Sequence, residues 1–241
     1  MKHIILLPIF FIFLGTHFCI AQHIKLDKKE MSFLASQQKV NVAFTYDDVL
    51  FNEDNFTERE FLDYIKEKIE SKLNTEEALE WERNYFQAKD SVYSEIFISA
   101  LNNRIQSYDS PVEFVLNDTS LKYTMKVQTD WMYFGYNVGI VKQPAKGNLN
   151  ISFYETATPE TIISKIEINR AEGIDLATAG NFSFYSNVSG SNGSGAALSK
   201  SVLNEFLKAS EEYPRPNLIR MGNMYDKAAV RFGMTLKRVL D

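Results

Sequence analysis

The chain has almost none of the residues that most enzymes use for nucleophilic or metal-assisted chemistry. Its 241 residues include one cysteine, Cys19, and three histidines, His3, His17 and His23. A Ser-His-Asp or Cys-His nucleophile needs a neighbouring imidazole, and zinc is bound mainly by histidine and cysteine. A single cysteine also excludes an internal disulfide. The sequence therefore predicts a protein that is not an enzyme and that carries no metal site and no cofactor.

The chain also lacks an excess of positive charge. It carries 26 lysines and arginines against 31 aspartates and glutamates, a formal net charge of -5 at pH 7. A mildly acidic surface repels phosphate backbones, so we expect no binding to nucleic acid. Apolar residues are plentiful, because 45% of the chain is hydrophobic and it includes 18 phenylalanines and 12 tyrosines. An apolar core is therefore expected to stabilise the fold without disulfides.

A long apolar run occurs at the amino terminus. Lys2 precedes an unbroken apolar stretch over residues 4–14, and small residues lead to an exit at Ala21. This order is typical of a secretory signal peptide. A membrane-spanning helix needs about 20 apolar residues, and this run is shorter. A lipid anchor needs a small residue directly before the cysteine, whereas Phe18 is bulky.

Cleavage after Ala21 would leave residues 22–241 as the mature chain. Residues 22–241 are then expected to be exported, to the periplasm or outside the cell, and not to be an integral membrane protein. Their length fits a single domain. Within that domain the segment 173–197 is rich in glycine, serine and asparagine, which predicts a mobile surface loop.

Several segments show the period of two that is typical of half-buried strands. The pattern is clearest over residues 122–131, and it also covers residues 40–46. Shorter apolar patterns predict strands at 112–116, 148–155 and 162–169. The last two flank a turn at residues 156–160, so we expect them to pair antiparallel.

The best-marked helix start lies at Glu58. Thr57 and Glu60 have the spacing of a capping box, and Phe56 and Phe61 stand where a hydrophobic staple belongs. Beyond this start, apolar residues return every three or four positions up to residue 73, as expected for a helix with one buried face.

Three further segments have helical periodicity. The first covers Thr75 to Ile105 with a possible interruption at Asp90-Ser91, the second covers residues 198–210, and the third covers Leu218 to Leu240. Together the elements predict an α+β fold: an antiparallel or mixed sheet of about five strands with the long helices packed on one face.

Aromatic residues cluster at the end of the clearest strand pattern. These candidate binding residues are Trp131, Tyr133, Phe134 and Tyr136. Aromatic rings at a strand end can stack on sugars or anchor a partner protein. Because strand alternation sends half of them inward, the simpler interpretation is a mixture of core and rim residues.

Carboxylates offer the remaining route to catalysis, because paired acids hydrolyse glycosides without histidine. The acidic pairs Asp47-Asp48 and Glu53-Asp54 could bind a cation loosely, and a solvated acidic loop before the first helix is the simpler interpretation of them. Glu77, Glu80 and Glu82 are more simply the polar face of the second helix. The sequence names no converging pair.

Three groups of residues carry a resemblance to a known family: Phe33-Leu34, Gln38, Val40-Asn41-Val42 and Tyr46; Gly135-Tyr136-Asn137-Val138-Gly139 with Pro144-Ala145; and Arg220, Tyr225, Lys227, Ala228, Gly233 and Leu236. In these residues the chain resembles a family of uncharacterised secreted proteins of Gram-negative bacteria. The order of elements is also similar to small envelope domains of the curli-secretion and TolB amino-terminal type. These resemblances imply an envelope location and an α+β fold, and they imply no activity.

Three functions remain open at this point. The first hypothesis is a non-enzymatic envelope or secreted protein that binds a macromolecular partner, an envelope protein or a glycan, or supports an envelope assembly. The second is a small-ligand or glycan-binding module that uses the aromatic strand end. The third is a carboxylate-based hydrolase. A flat exposed aromatic patch favours the first, and a pocket with converging carboxylates favours the third.

Overall fold

The structure, a computed structural model, describes residues 24–138, 141–173 and 214–241. The predicted signal peptide, the Gly/Ser-rich loop after Gly173 and the predicted helix at 198–210 lie outside these residues.

The described residues form nine strands and four α-helices. The strands are β1 (Lys39–Thr45), β2 (Leu50–Phe51), β3 (Phe56–Thr57), β4 (Glu113–Leu116), β5 (Tyr123–Tyr133), β6 (Tyr136–Val138), β7 (Val141–Gln143), β8 (Lys146–Glu155) and β9 (Ile162–Glu172). The helices are α1 (Glu58–Lys72), α2 (Thr75–Gln87), α3 (Tyr93–Ile105) and α4 (Leu218–Leu240). A 3₁₀ helix (Glu30–Ser36) precedes β1, and a π-helical turn (Ala88–Val92) joins α2 to α3.

Seven of the strands form one mixed sheet, which confirms the predicted α+β class. Its main path runs β4-β1-β5-β8-β9, where β1 pairs in parallel with β4 and β5, and β8 pairs antiparallel with β5 and β9. The two-residue strands β2 and β3 extend the sheet beyond the end of β1, since β2 also pairs in parallel with β5. The prediction of about five strands thus matches the main path. The remaining two strands, β6 and β7, form a separate hairpin.

Aromatic side chains join the helices to the sheet. Phe44 of β1 contacts Phe97 of α3 and Tyr225 of α4, with ring centroids 5.5 and 6.4 Å apart. Phe51 of β2 stacks on Phe61 of α1 at 4.6 Å and lies close to α2. The expectation that all long helices share one face of the sheet stays a prediction.

Local sequence signals place the helix ends correctly. The side chain of Thr57 accepts a hydrogen bond from the Glu60 backbone N–H, and the Glu60 carboxylate accepts one from the Thr57 backbone N–H at 2.9 Å, so the capping box is present. The staple partners differ from the prediction: Phe56 packs on Tyr64 at 5.8 Å, whereas Phe61 stacks in the core. The interruption predicted near Asp90 is the π-helical turn. In the described part of the chain, no helix is both long and apolar enough to span a membrane.

Candidate ligand-binding site

A β-bulge divides the central strand into two parts. The pairing of β5 with β8 shifts register between Thr129 and Trp131, leaving Asp130 without a directly opposed partner. Before the bulge the odd-numbered residues face the helices, as when the hydroxyl of Thr129 hydrogen-bonds that of Tyr225 at 2.7 Å. Beyond the bulge the fully buried residue is Met132. An extra residue in one strand reverses the side to which later side chains point.

This reversal corrects the expected orientation of Trp131. The sequence pattern groups Trp131 with Val127 and Thr129 on one side of the strand. In the structure Trp131 and Met132 point to opposite faces of the sheet. The ring of Trp131 stacks on Tyr133, with centroids 6.0 Å apart and planes 7° apart. Its indole N–H donates to the backbone carbonyl of Asn52 at 2.8 Å.

The four predicted binding residues therefore have different surroundings. Phe134 is buried in the core, where it stacks on Phe61 at 5.4 Å. Trp131 is largely buried by its contacts, Tyr133 is half-buried, and 43% of the Tyr136 side chain is exposed. The prediction of a mixture of core and rim residues describes this arrangement, and the core member is Phe134.

Three of the four line a recess of about 560 Å³. Its apolar residues are Phe61, Ile65 and Phe134, and its tyrosines are Tyr64, Tyr133 and Tyr136; the remaining lining residues are Asn52, Glu53, Asp54, Lys68, Gly135, Pro214, Arg215, Pro216, Asn217 and Arg220. The volume lies within the range of about 300–1,000 Å³ that is usual for small-molecule sites. We call this cavity the recess.

One wall of the recess is the proline segment, Pro214–Asn217. The buried indole N–H of Trp81 donates to the Pro216 carbonyl at 3.1 Å, and Arg215 pairs with Glu77 at 3.1 Å. Asn217 ends the segment by capping α4, since its side chain accepts a hydrogen bond from the Arg220 backbone N–H at 3.1 Å. Contacts with α2 and α4 thus hold this wall in place.

Gly135 sets the backbone at the base of the recess. Its φ is +69°, in the left-handed region that glycine adopts without strain. A Cβ at this position would lie 2.2 Å from the carbonyl oxygen of Gln143. Only glycine therefore allows the chain to pass from β5 into the β6-β7 hairpin, which carries Tyr136.

Charges of both signs line the recess. Glu53 and Asp54 come from the turn between β2 and β3, which Asn52 and Asn55 shape with φ values of 57° and 54°. Lys68 lies 5.9 Å above the ring of Tyr64.

Two polar residues of the lining, Tyr133 and Arg220, are less exposed than Glu53 and Asp54. Burial, helped by the nearby Tyr136 and Glu53, raises the pKa of the Tyr133 hydroxyl above its ordinary value. Tyr133 is therefore a neutral hydrogen-bonding group at physiological pH. Arg220, by contrast, is 6% exposed and adds positive charge to the lining.

The carboxylates do not form an opposed pair across the recess. Glu53 and Asp54 are consecutive residues of one turn, whereas glycoside hydrolysis needs two carboxyl groups that flank the scissile bond. On α2, Glu77 pairs with Arg215 and Glu82 pairs with Lys66 at 3.1 Å. In the described ranges, no three histidine, cysteine, aspartate or glutamate side chains come together as metal ligands.

Sequence reasoning missed the parts of the recess that come from distant segments. Tyr64 carries a usable signal, because it lies three residues after Phe61 on the same side of α1. Tyr64 is 47% exposed although its ring packs on Phe56. The proline segment and the β2–β3 turn carry no such signal, because only the tertiary fold brings them beside β5.

Comparisons with protein-family models, with curated proteins and with solved structures find no match. The resemblance to secreted proteins of Gram-negative bacteria, and to curli-secretion and TolB-type domains, therefore stays a prediction.

Proposed function

We propose that this protein is a non-enzymatic, exported binding protein that holds a small ligand in the recess. The observation that carries the proposal is the convergence of Tyr133, Phe134 and Tyr136 on one cavity of about 560 Å³. A partly apolar cavity with a few convergent polar groups is the usual form of a small-molecule site. The second of the three sequence hypotheses therefore becomes the first.

The arrangement of the walls supports a preformed site. The tyrosines at the rim stand on a helix and on a hairpin, and the proline segment is anchored by Trp81 and by the pair of Arg215 with Glu77. Ordering such walls before the ligand arrives reduces the entropy lost on binding. A ligand can therefore bind without a large rearrangement of the chain.

Binding, rather than catalysis, fits the charged groups that the recess offers. Its two carboxylates belong to one turn, so they cannot act from opposite sides of a bond. The neutral hydroxyl of Tyr133 and the amide of Asn52 can donate and accept hydrogen bonds. These groups suit recognition of a polar ligand.

A fragment screen by ligand-detected NMR tests this proposal. We expect small molecules that bind the wild-type chain to lose affinity for Tyr136→Ala. Leu79→Ala is the matched control, because both side chains are 43% exposed and Leu79 does not line the recess. Ligands that bind Tyr136→Ala as well as they bind the wild type, or a complete absence of ligands, would contradict the proposal.

Export is part of the same proposal, and it rests on the leader pattern of Lys2, the apolar run over residues 4–14 and the exit at Ala21. Amino-terminal sequencing of the protein from its host tests it. A chain that begins at Gln22 supports export, and a chain that keeps residues 1–21 in a detergent-dependent fraction contradicts it.

Binding of a macromolecular envelope partner is the second candidate function. The observation that favours it is the exposure of Tyr64 and Tyr136, at 47% and 43%, on the rim of the recess. Exposed aromatic side chains are common anchors of protein interfaces. Capture of one specific envelope protein by the wild type, lost in Tyr136→Ala and kept in Leu79→Ala, would raise this candidate above the first.

A further inference from the structure

The recess is walled by aromatic rings that carry hydroxyl groups. Tyr64 and Tyr136 stand exposed on the rim, whereas Tyr133 is half-buried and is held by stacking on Trp131. Tyrosine offers a flat apolar face together with a polar edge. A fitting ligand therefore presents flat C–H surfaces and hydrogen-bonding groups side by side.

The charges of the lining are nearly balanced. Glu53 and Asp54 bring two negative charges, and Lys68, Arg215 and Arg220 bring three positive charges. Glu77, which pairs with Arg215 beside the recess, supplies a third negative charge. A site for an anionic or a cationic ligand needs an excess of the opposite charge, because complementary potentials select charged ligands.

The polar groups of the lining are of kinds that bind hydroxyl groups. Amides supply both donors and acceptors and carboxylates supply acceptors, here from Asn52, Glu53 and Asp54. A wholly apolar ligand would displace water from these groups without replacing its hydrogen bonds and would lose affinity. An uncharged ligand with many hydroxyl groups replaces those hydrogen bonds.

A proline-rich peptide is the main competing ligand, because such peptides bind aromatic grooves. In this chain the proline segment already occupies the position beside Trp81, whose indole N–H donates to the Pro216 carbonyl. The adjacent Arg215 side chain forms an ion pair with Glu77. The indole of Trp81 and the carboxylate of Glu77 are thus already engaged by the chain's own proline segment.

We infer that the ligand of the recess is an uncharged oligosaccharide, with sugar rings stacked on Tyr133 and on the rim tyrosines. This inference rests on the proposed function, and it adds the chemical class of the ligand. The C–H faces of the sugar rings lie on the aromatic rings, and the sugar hydroxyls bond to the amides and charged groups of the lining. Because the contacts involve groups of both charges, a charged sugar binds less well than its neutral counterpart.

Titration calorimetry with defined trisaccharides tests the ligand class. The neutral probes are maltotriose, cellotriose, mannotriose and chitotriose; the charged probes are the glucosamine trimer, which is the cationic counterpart of chitotriose, and trigalacturonate. A synthetic Pro-Arg-Pro peptide is the peptide probe. We expect at least one neutral trisaccharide to bind, and both charged trimers and the peptide to bind about tenfold more weakly or not at all.

Two single substitutions locate the binding. Tyr136→Ala should weaken the neutral trisaccharide by about tenfold through loss of one stacking contact, and Leu79→Ala should leave its Kd unchanged. Tyr136 and Leu79 are both 43% exposed, so we expect the two substitutions to disturb folding to a similar, small extent. A loss of affinity confined to Tyr136→Ala is then assigned to the recess. Circular dichroism melting curves check that each variant is folded.

The outcomes separate the ligand class from the proposed function. If fragments bind in a manner that depends on Tyr136 but every neutral trisaccharide fails, the class is wrong and the proposed function stands. Tighter binding of a charged trimer or of the peptide also overturns the class. If neither fragments nor trisaccharides bind, both the class and the proposed function are wrong.

Discussion

The chain before and after the bulge at Asp130 performs different tasks: the first part belongs to β5, and the second continues from the end of β5 into β6. The core part, Tyr123–Thr129, packs between β1 and β8 under α3 and α4, and its alternating apolar side chains are fully or almost fully buried. The recess part, Trp131–Tyr136, runs past the bulge and places aromatic rings around a cavity. The comparison shows how one inserted residue, Asp130, redirects a regular strand pattern from building a core to building a site.

The same contrast appears in the neighbours of the two parts. Phe153 lies beside the core part, where it contacts Phe33 at 6.0 Å and Phe232 at 6.3 Å. Phe61 lies beside the recess part, stacked between Phe51 and Phe134. Both rings are buried, but only Phe61 also lines the recess.

The largest expected effects come from emptying these two ring positions. Phe153→Ala and Phe61→Ala should each lower the free energy of unfolding by about 3–5 kcal/mol, because each leaves a cavity in a packed core. Among the molecules that remain folded, only Phe61→Ala should also weaken ligand binding. Urea titrations give the folded fraction of each variant, and titration calorimetry, corrected for that fraction, gives the Kd of the ligand. Equal losses of binding in the two variants would contradict the separation of the two parts.

The next effect concerns Gly135, which lies between the end of β5 and the start of β6. Gly135→Ala should cost about 1–3 kcal/mol, because alanine at φ +69° is strained and its Cβ would meet the Gln143 carbonyl oxygen. Gly147→Ala is the matched control, since there a Cβ would meet the end of the flexible Met224 side chain. Thermal melts that show the control to be the more damaging change would contradict this account of the turn.

A smaller effect is expected at the start of α1, which carries the recess residues Phe61, Tyr64 and Lys68. Thr57→Ala should lower stability by about 1 kcal/mol through loss of the side-chain cap. The intact cap also links the helix to pH. Hydrogen bonds from the Thr57 backbone and side chain lower the pKa of Glu60 below its ordinary value.

The lowered pKa fixes the direction of the pH dependence. A carboxyl group whose pKa is lower in the folded chain stabilises it above the unfolded pKa, about 4.3 for glutamate, and the stabilisation is lost as the pH falls through the folded value. Glu60→Gln should therefore show a shallower loss of unfolding free energy on acidification from neutral pH than the wild type. Urea titrations at several acidic pH values measure both slopes, and a steeper slope in the variant would count against the capping box.

The smallest effect on stability is expected at the exposed rim. Tyr136→Ala should change the free energy of unfolding by less than about 0.5 kcal/mol, because the side chain is largely in solvent. It should nevertheless weaken ligand binding. Tyr136 therefore matters for affinity and little for stability, whereas Phe153, beside the core part, matters for stability and not for affinity. A large loss of stability in this variant would mean that the tyrosine belongs to the core.

Local signals in the sequence predict much of the fold. The capping box at Thr57 places the start of α1, the break near Asp90 marks the π-helical turn, and apolar periodicity gives both ends of α4. These features depend on residues within one or two turns of each other. They are therefore readable without knowledge of the rest of the chain.

Features that depend on distant pairing escape the same reasoning. The sequence pattern predicts no strand over residues 47–55, yet Leu50–Phe51 forms β2 by pairing with the end of β5. The parallel pairing of β1 with β4 and β5 joins segments more than 70 residues apart, as in the contact of Asn41 with Thr124. Neither leaves a local mark in the sequence.

The site was predicted in part for the same reason. Tyr133, Phe134 and Tyr136 are found from their aromatic character alone, but the bulge at Asp130 decides which of them enters the core. A bulge of this kind is not visible in a period-two pattern until its pairing partner is known. The proline segment is held beside the site by Trp81 and Glu77, which lie more than 130 residues earlier in the chain.

The most direct test of the central claim is a map of amide chemical shifts on the exported chain during titration with the neutral trisaccharides. The account predicts saturable shifts for residues 52–54 and 64–68 and for residues 133–136. It predicts unchanged amides for the core part, residues 123–129, because those side chains face the helices or pair within the sheet. Saturable shifts centred on residues 123–129, or none with any trisaccharide, would contradict the claim that the bulge separates a structural part of β5 from a sugar-binding part.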